Sequence, residues 1–145
     1  MPAASHSVRV SPQFSNRLVE SSRSLLNPLI PDIYIYSDPY KSAESGLSPG
    51  YGLSLLSIST TGAMQAFELG YRKADLETPE EVGRACAAGL LEEVRKGGCV
   101  GEWAQGWVLT AMVLGSEDVG RVRLGELTAT SCVVLLLRIG HVRIC

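Results

Sequence analysis

Hydrophobic spacing changes twice between residues 11 and 96, and that change limits the folds open to the chain. In "SPQFSNRLVESSRSLLNPLI" (11–30), Phe14, Leu18, Ser22, Leu25 and Leu29 recur at helical spacing and form one face. Ser11 stands as N-cap with Pro12 at the first helical position, and Pro28 and Pro31 stop the helix. "DIYIYS" (32–37) then sets Ile33 and Ile35 against Tyr34 and Tyr36, the two-residue period of a strand. "DPYKSAESGLSPG" (38–50) reads as a polar loop kept irregular by Pro and Gly. "YGLSLLSIST" and "AMQAFELG" flank "TTG" and predict a β-hairpin over residues 51–70. Thr78-Pro79-Glu80-Glu81 is a capping box. Its helix runs to about Lys96, with Val82, Ala85, Cys86, Gly89, Leu90 and Val94 on one face, and Gly97-Gly98 ends it. Helix, strand, hairpin and helix in that order predict an α/β fold, layered, with an antiparallel hairpin.

The remainder is less regular. "YRKADLE" is a polar linker. A further helix is expected from about Val100 to Leu114, with Trp103, Trp107, Ala111 and Leu114 on one side. "GRVRLGEL" reads as a short strand. In "TSCVVLLLRIGHVRIC" the β-branched residues favour a strand, but Thr128 or Thr130 could cap a helix, and both readings stay open. No internal repeat is present. The 145 residues suit one ordinary domain or two small ones. As one body the chain could bury roughly 68–70% of its unfolded surface, whereas two separate halves would each be marginal.

Charge gives no push toward nucleic acid. Thirteen basic and fifteen acidic residues are spread evenly, and no basic block stands out. Cys86, Cys99, Cys132 and Cys145 are scattered without a C-x-x-C or a nearby His at ligand spacing, so neither zinc nor a disulfide framework is expected. "MPAASHSVRV" lacks the apolar core of a signal peptide, and the run "CVVLLL" (132–137) is far below the roughly 20 residues of a membrane span. The expectation is a reduced, intracellular, soluble protein with no membrane partner.

Each candidate for chemistry has a plainer reading beside it. "GLSPGYGLSL" (46–55) is glycine-rich, but its glycines precede a strand instead of opening a helix, and no G-K-[ST] follows. A turn is expected there, not a phosphate cradle. His6 lies in a polar leader and His141 near the terminus, and neither has an adjacent carboxylate to position it as a general base. Glu80 and Glu81 suit a helix N-terminus, and Glu92 and Glu93 a solvated face with Lys96 nearby. Trp103 and Trp107, four apart, read as core or interface anchors before a base-stacking platform. Arg121 and Arg123 alternate on the expected strand; a solvated face is the plain account, and contact with RNA phosphate the functional one.

The blocks "SVRVSPQFSNRLVESSRSLLNPLIPDIYIYSD", "SGLSPGYGLSL", "TPEEVGRACAAGLLEEVRKGGCV" and "LGSEDVGRVRLGEL" together resemble the RNA 3′-terminal phosphate cyclase family, in its eukaryotic branch that lacks cyclase activity. The resemblance covers roughly residues 7–127 in order. It implies repeated α/β units with a smaller inserted α/β domain. Residues 1–75 would be that inserted domain, and 76–145 a partial last repeat of the main domain. Ser48, Pro49, Gly50 and Gly52 are the family-marker loop, with a structural role. The chain starts where the family is already past its middle, which suggests a fragment or the product of a wrongly delimited gene. After Leu127 it drifts from the family's more polar helix.

True cyclases adenylylate a histidine that would fall at about Leu127–Val134. This window reads "LTATSCVV" and holds no histidine. The resemblance therefore implies no catalytic residue, no cofactor and no metal. It implies instead a ribosome biogenesis factor in the nucleolus, acting in early pre-rRNA cleavage toward small-subunit rRNA. Its expected partners are a ribosome-assembly GTPase, the box C/D small nucleolar RNP complex and pre-rRNA, with Arg121 and Arg123 as RNA-contact candidates. An RNA-processing enzyme, endonuclease or residual cyclase, and a non-functional truncated product are the alternatives.

Overall fold

The computed structural model describes residues 2–8, 11–30, 32–40, 48–71, 78–115, 120–137 and 142–144. In chain order these form β1 (Pro2–Val8), α1 (Pro12–Leu26), β2 (Tyr34–Tyr40), β3 (Gly50–Ile58), β4 (Met64–Gly70), α2 (Pro79–Lys96), α3 (Glu102–Leu114), β5 (Gly120–Val122), α4 (Ala129–Leu137) and β6 (Val142–Ile144). This is the mixed α/β class that the changes of hydrophobic period imply. The chain divides into two compact units, Met1–Ser57 with Ala66–Glu92, and Ile58–Gln65 with Glu93–Cys145.

The first unit is built on a sheet in the order β2-β1-β3-β4. β1 pairs in parallel with β2 and antiparallel with β3, so a strand that reads as a polar leader lies inside the sheet. "PAASHSV" carries little intrinsic strand preference, and it is extended because it has a neighbour on each side. Ser5 Oγ also shares a 3.0 Å hydrogen bond with Ser37 Oγ of β2. β2 itself continues through Asp38, Pro39 and Tyr40, beyond the expected end of the strand. Pro39 is tolerated there because β2 is at the edge, where one side of the backbone needs no ladder donor.

One face of the sheet is covered. Leu53 and Leu55 of β3 close a core with Leu18 and Leu26 of α1 and Val82, Cys86, Ala87 and Leu90 of α2. Ile33, Ile35, Phe67 and Leu69 pack against it. Each large side chain fully buried here contributes about 1.5–3 kcal/mol relative to exposure. Cys86 Sγ donates to Leu53 O at 3.3 Å, and burial pushes its thiol up to about 12, which keeps it protonated and unreactive.

α1 begins where the sequence puts it. Ser11 Oγ accepts the Gln13 N–H at 3.4 Å, and Pro12 follows. Its buried face differs from the expected one: Ser15, Leu18, Ser22 and Leu26 turn inward, while Leu25 and Leu29 are exposed. Helix contact, not hydrophobicity, sets this phase. A Cβ on Gly83 of α2 would stand 2.5 Å from Leu18 O and collide with Ser21 Oγ. The two helices therefore touch backbone to backbone, and small serines are what fits. Ser22 Oγ is fully buried and donates to Leu18 O and Val19 O of its own helix, at 3.1 and 2.9 Å, so its burial leaves no orphan.

The ends of α2 are as expected. The Thr78 N–H donates to Glu81 at 3.0 Å and the Glu81 N–H to Thr78 Oγ1 at 3.3 Å, and Gly97 and Gly98 follow at φ +72° and +85°. The adjoining Glu80 binds Arg17 of α1 through two bonds, at 2.5 and 2.8 Å.

In the second unit α3 packs on α4, and β5 pairs in parallel with β6. The segment left open between helix and strand is thus both, α4 followed by β6. Of the two readings for the tryptophan face of α3, core or interface anchor, the core one fails. Trp103 is 88% and Trp107 79% exposed, and Leu114 is exposed with them. Gln105 and Leu109 are buried instead, because Gln105 anchors the helix through hydrogen bonds described below.

Two measurements check these contacts. Gly83→Ala gains about 1 kcal/mol in helix propensity but forces the helices apart, at a cost of about 1–3 kcal/mol. Net destabilisation is expected in urea unfolding; stabilisation would show that the helices can separate freely. The second is pH. The Arg17 hydrogen bonds, with a backbone bond at Glu80, hold the Glu80 carboxyl below its ordinary 4.5. A carboxylate depressed on folding stabilises the protein above its unfolded pKa, and the contribution is lost as pH falls through the folded value. Melting temperature should therefore fall less steeply below pH 4.5 in Arg17→Met than in the parent chain.

Candidate functional site

The glycine-rich stretch is part of the sheet. Ser48 and Pro49 are exposed ahead of β3, and Gly50 and Gly52 lie in its ladder opposite Val8 and His6 of β1. A Cβ on Gly52 would stand 3.2 Å from Leu69 O and 3.4 Å from Gly70 Cα, so a bare backbone lets β3 and β4 meet closely. His6 occupies β1 by its backbone, and His141 lies outside the described residues.

Arg121 and Arg123 are both exposed, Arg121 within β5 and Arg123 just after it. The segment is fixed from behind: Arg123 O accepts the Cys99 N–H at 2.9 Å and the Cys99 thiol at 3.1 Å. A Cβ on Gly125 would overlap Lys96 O and Gly97 O, and a Cβ on Gly98 would overlap Gly125 N. The two arginines are thus exposed, Arg121 on the β5–β6 ladder and Arg123 on backbone tied to Cys99.

The window Leu127–Val134 forms the start of α4. Thr128 Oγ1 accepts the Ser131 N–H at 3.1 Å and shares a 2.8 Å bond with Ser131 Oγ. Ser131 Oγ donates to Gln105 Oε1 at 2.9 Å, and Gln105 Nε2 donates to Glu126 O at 2.9 Å. Gln105 is 2% exposed, and this network satisfies both ends of its amide. Sequence reasoning missed it, since a glutamine in an otherwise apolar helix gives no periodic signal.

Glu93 was also misread as a solvated carboxylate. It is 5% exposed, and its Oε2 accepts the Glu102 N–H at 2.9 Å. Gly101, the N-cap of α3, has no side chain to do this, so a carboxylate from α2 caps the helix instead. Lys96 Nζ lies 3.6 Å from Glu93 and also bonds Glu102, balancing the charge. Beside this junction, Glu102, Trp103, Gly106, Trp107 and Thr110 on α3 and Thr128 and Thr130 line an open groove of about 400 Å³. Among the described residues no three His, Cys, Asp or Glu side chains converge to hold a metal, and no helix is long and apolar enough to cross a membrane.

Residues 2–95 match the insert domain of the RNA 3′-terminal phosphate cyclases. The chain is 50% identical over 126 residues to the mouse RNA 3′-terminal phosphate cyclase-like protein, covering 85% of this chain and 34% of the mouse protein. It is 48% identical over 132 residues to an rRNA processing protein of Schizosaccharomyces pombe, covering 91% of this chain and 36% of that protein. An rRNA processing protein of Saccharomyces cerevisiae is 33% identical over 133 residues, 92% of this chain and 36% of that one. The chain spans about a third of the length of these relatives.

Gln105→Leu tests the network. It leaves Glu126 O without a side-chain donor and Ser131 without its acceptor, at a cost of about 1–3 kcal/mol. Loss of that size is expected in urea unfolding; an unchanged midpoint would mean that water replaces the amide.

Proposed function

The chain belongs to the RNA 3′-terminal phosphate cyclase family, carrying its insert domain, and from that premise we propose that it serves rRNA processing as a binding component and not as a cyclase. The observation that carries the reading is the 48% identity, over 91% of this chain, to a fission yeast protein named for rRNA processing. The relatives named cyclase-like agree with it. So does the local chemistry at 127–134, where Thr128, Ser131 and Gln105 form a helix cap and its anchor. Proposed with it are a nucleolar location, action on pre-rRNA toward small-subunit rRNA, and association with a ribosome-assembly GTPase and the box C/D small nucleolar RNP complex. Arg121 and Arg123 are the proposed RNA-contact residues, because both are exposed on fixed backbone.

Tagged chain recovered from its own cells should enrich precursor rRNA over mature rRNA. In binding to a transcript of the precursor, Arg121→Ala with Arg123→Ala should weaken affinity for all sequences and lower the salt slope by about two. Recovery of mature and precursor rRNA in cellular proportion would overturn the reading. Covalent labelling of the protein by ATP in the presence of 3′-phosphate RNA would restore the enzymatic alternative.

A further inference from the structure

The face of the four-stranded sheet opposite α1 and α2 has no described element of the first unit on it. Strand alternation fixes what it presents. Ile35 packs into the core, so Tyr34, Tyr36 and Asp38 of β2 point the other way, and Tyr34 is 60% and Tyr36 66% exposed. On β4, Phe67 and Leu69 face the core and Glu68 is exposed on the opposite side. The register ties these positions together. Tyr36 pairs with Ala4 and Ala4 with Ser54, while the Tyr71–Tyr51 and Ser59–Ala63 bonds place Glu68 opposite Ser54. One row across the sheet thus runs from Tyr36 to Glu68, a span of about 14 Å over three strand spacings. Asp38 lies one step along the same edge strand, about 7 Å from Tyr36.

We propose that this face binds an extended, arginine-rich protein segment, its guanidinium groups stacking on Tyr34 and Tyr36 and pairing with Asp38 and Glu68. Charge complementarity selects this occupant. Two carboxylates flank two exposed aromatic rings; the register pairs His6 of β1 with Asp38, and no lysine or arginine occupies an outward position on the four strands. Guanidinium satisfies both features at once, since it stacks on an aromatic face and bonds a carboxylate in its own plane. RNA could stack on the rings, but its phosphates would meet the carboxylates of Asp38 and Glu68. The outer edge of β2 also offers backbone groups along which an extended chain can align.

The test titrates the full chain with a nona-arginine peptide, a nona-lysine peptide and a nona-uridine RNA at about 150 mM salt, near physiological ionic strength, following tyrosine fluorescence and binding. Nona-arginine should bind more tightly than nona-lysine. Asp38→Asn with Glu68→Gln should weaken it about two- to fivefold, and Tyr34→Ser with Tyr36→Ser about fivefold or more. Glu20→Gln, on the outer surface of α1, should leave it unchanged. Far-UV circular dichroism confirms that the variants remain folded, and any that does not is replaced by Tyr→Leu, which keeps the bulk and removes most of the cation attraction. Equal loss in Glu20→Gln and in the face variants would show general attraction to an acidic protein and overturn the proposal. Binding of nona-uridine that depends on the tyrosines would overturn it in favour of a stacking platform for RNA.

Discussion

The first unit depends on how closely α2 can lie against its neighbours. Gly83 brings it onto the backbone of α1, and Gly89 admits the ring of Phe67 where any side chain would overlap it. With that spacing, Val82, Cys86 and Leu90 reach the layer formed by Leu53 and Leu55, and the core closes without a large aromatic at its centre. A few ångströms more between the helices would leave voids, and packed interiors lose stability quickly when voids open. The serine content of α1 has the same origin. A helix of mean polar character packs well here because the facing surface is backbone, and the buried Ser22 hydroxyl bonds its own helix.

Much of this was legible in the residues themselves. Ser11-Pro12, Thr78-Pro79-Glu80-Glu81, "TTG" and Gly97-Gly98 act within a turn of chain, and each marks a boundary where the structure has one. What depended on distant partners was not legible. β1 is extended because β2 and β3 hold it, β2 passes through Pro39 because it is an edge, and α1 takes its phase from a glycine some sixty residues away. Trp103 and Trp107 are not core despite their size, for α3 is oriented by Gln105. Glu93 misleads by charge, since its burial is offset by an amide that only the fold brings near.

The candidate features are of two chemical kinds, in different units. Exposed arginines stand in and just after a short strand in one, and exposed tyrosines with carboxylates on an open sheet face in the other. Opposite signs of charge suit different partners, an anionic polymer and a basic polypeptide.

The borrowed cap on α3 sets a length. Glu93 reaches the Glu102 amide, and Lys96 bonds both residues, only because the joint between the helices has five residues, two of them glycines with left-handed backbone. Most surface connections absorb insertions cheaply. This one is a spacer of fixed size: one extra residue would part the carboxylate from the amide and leave α3 without a cap and Glu93 with Lys96 as its remaining partner. The spacer is fixed in number along 97–101, and in residue type at Gly98, where a Cβ would overlap Gly125 N.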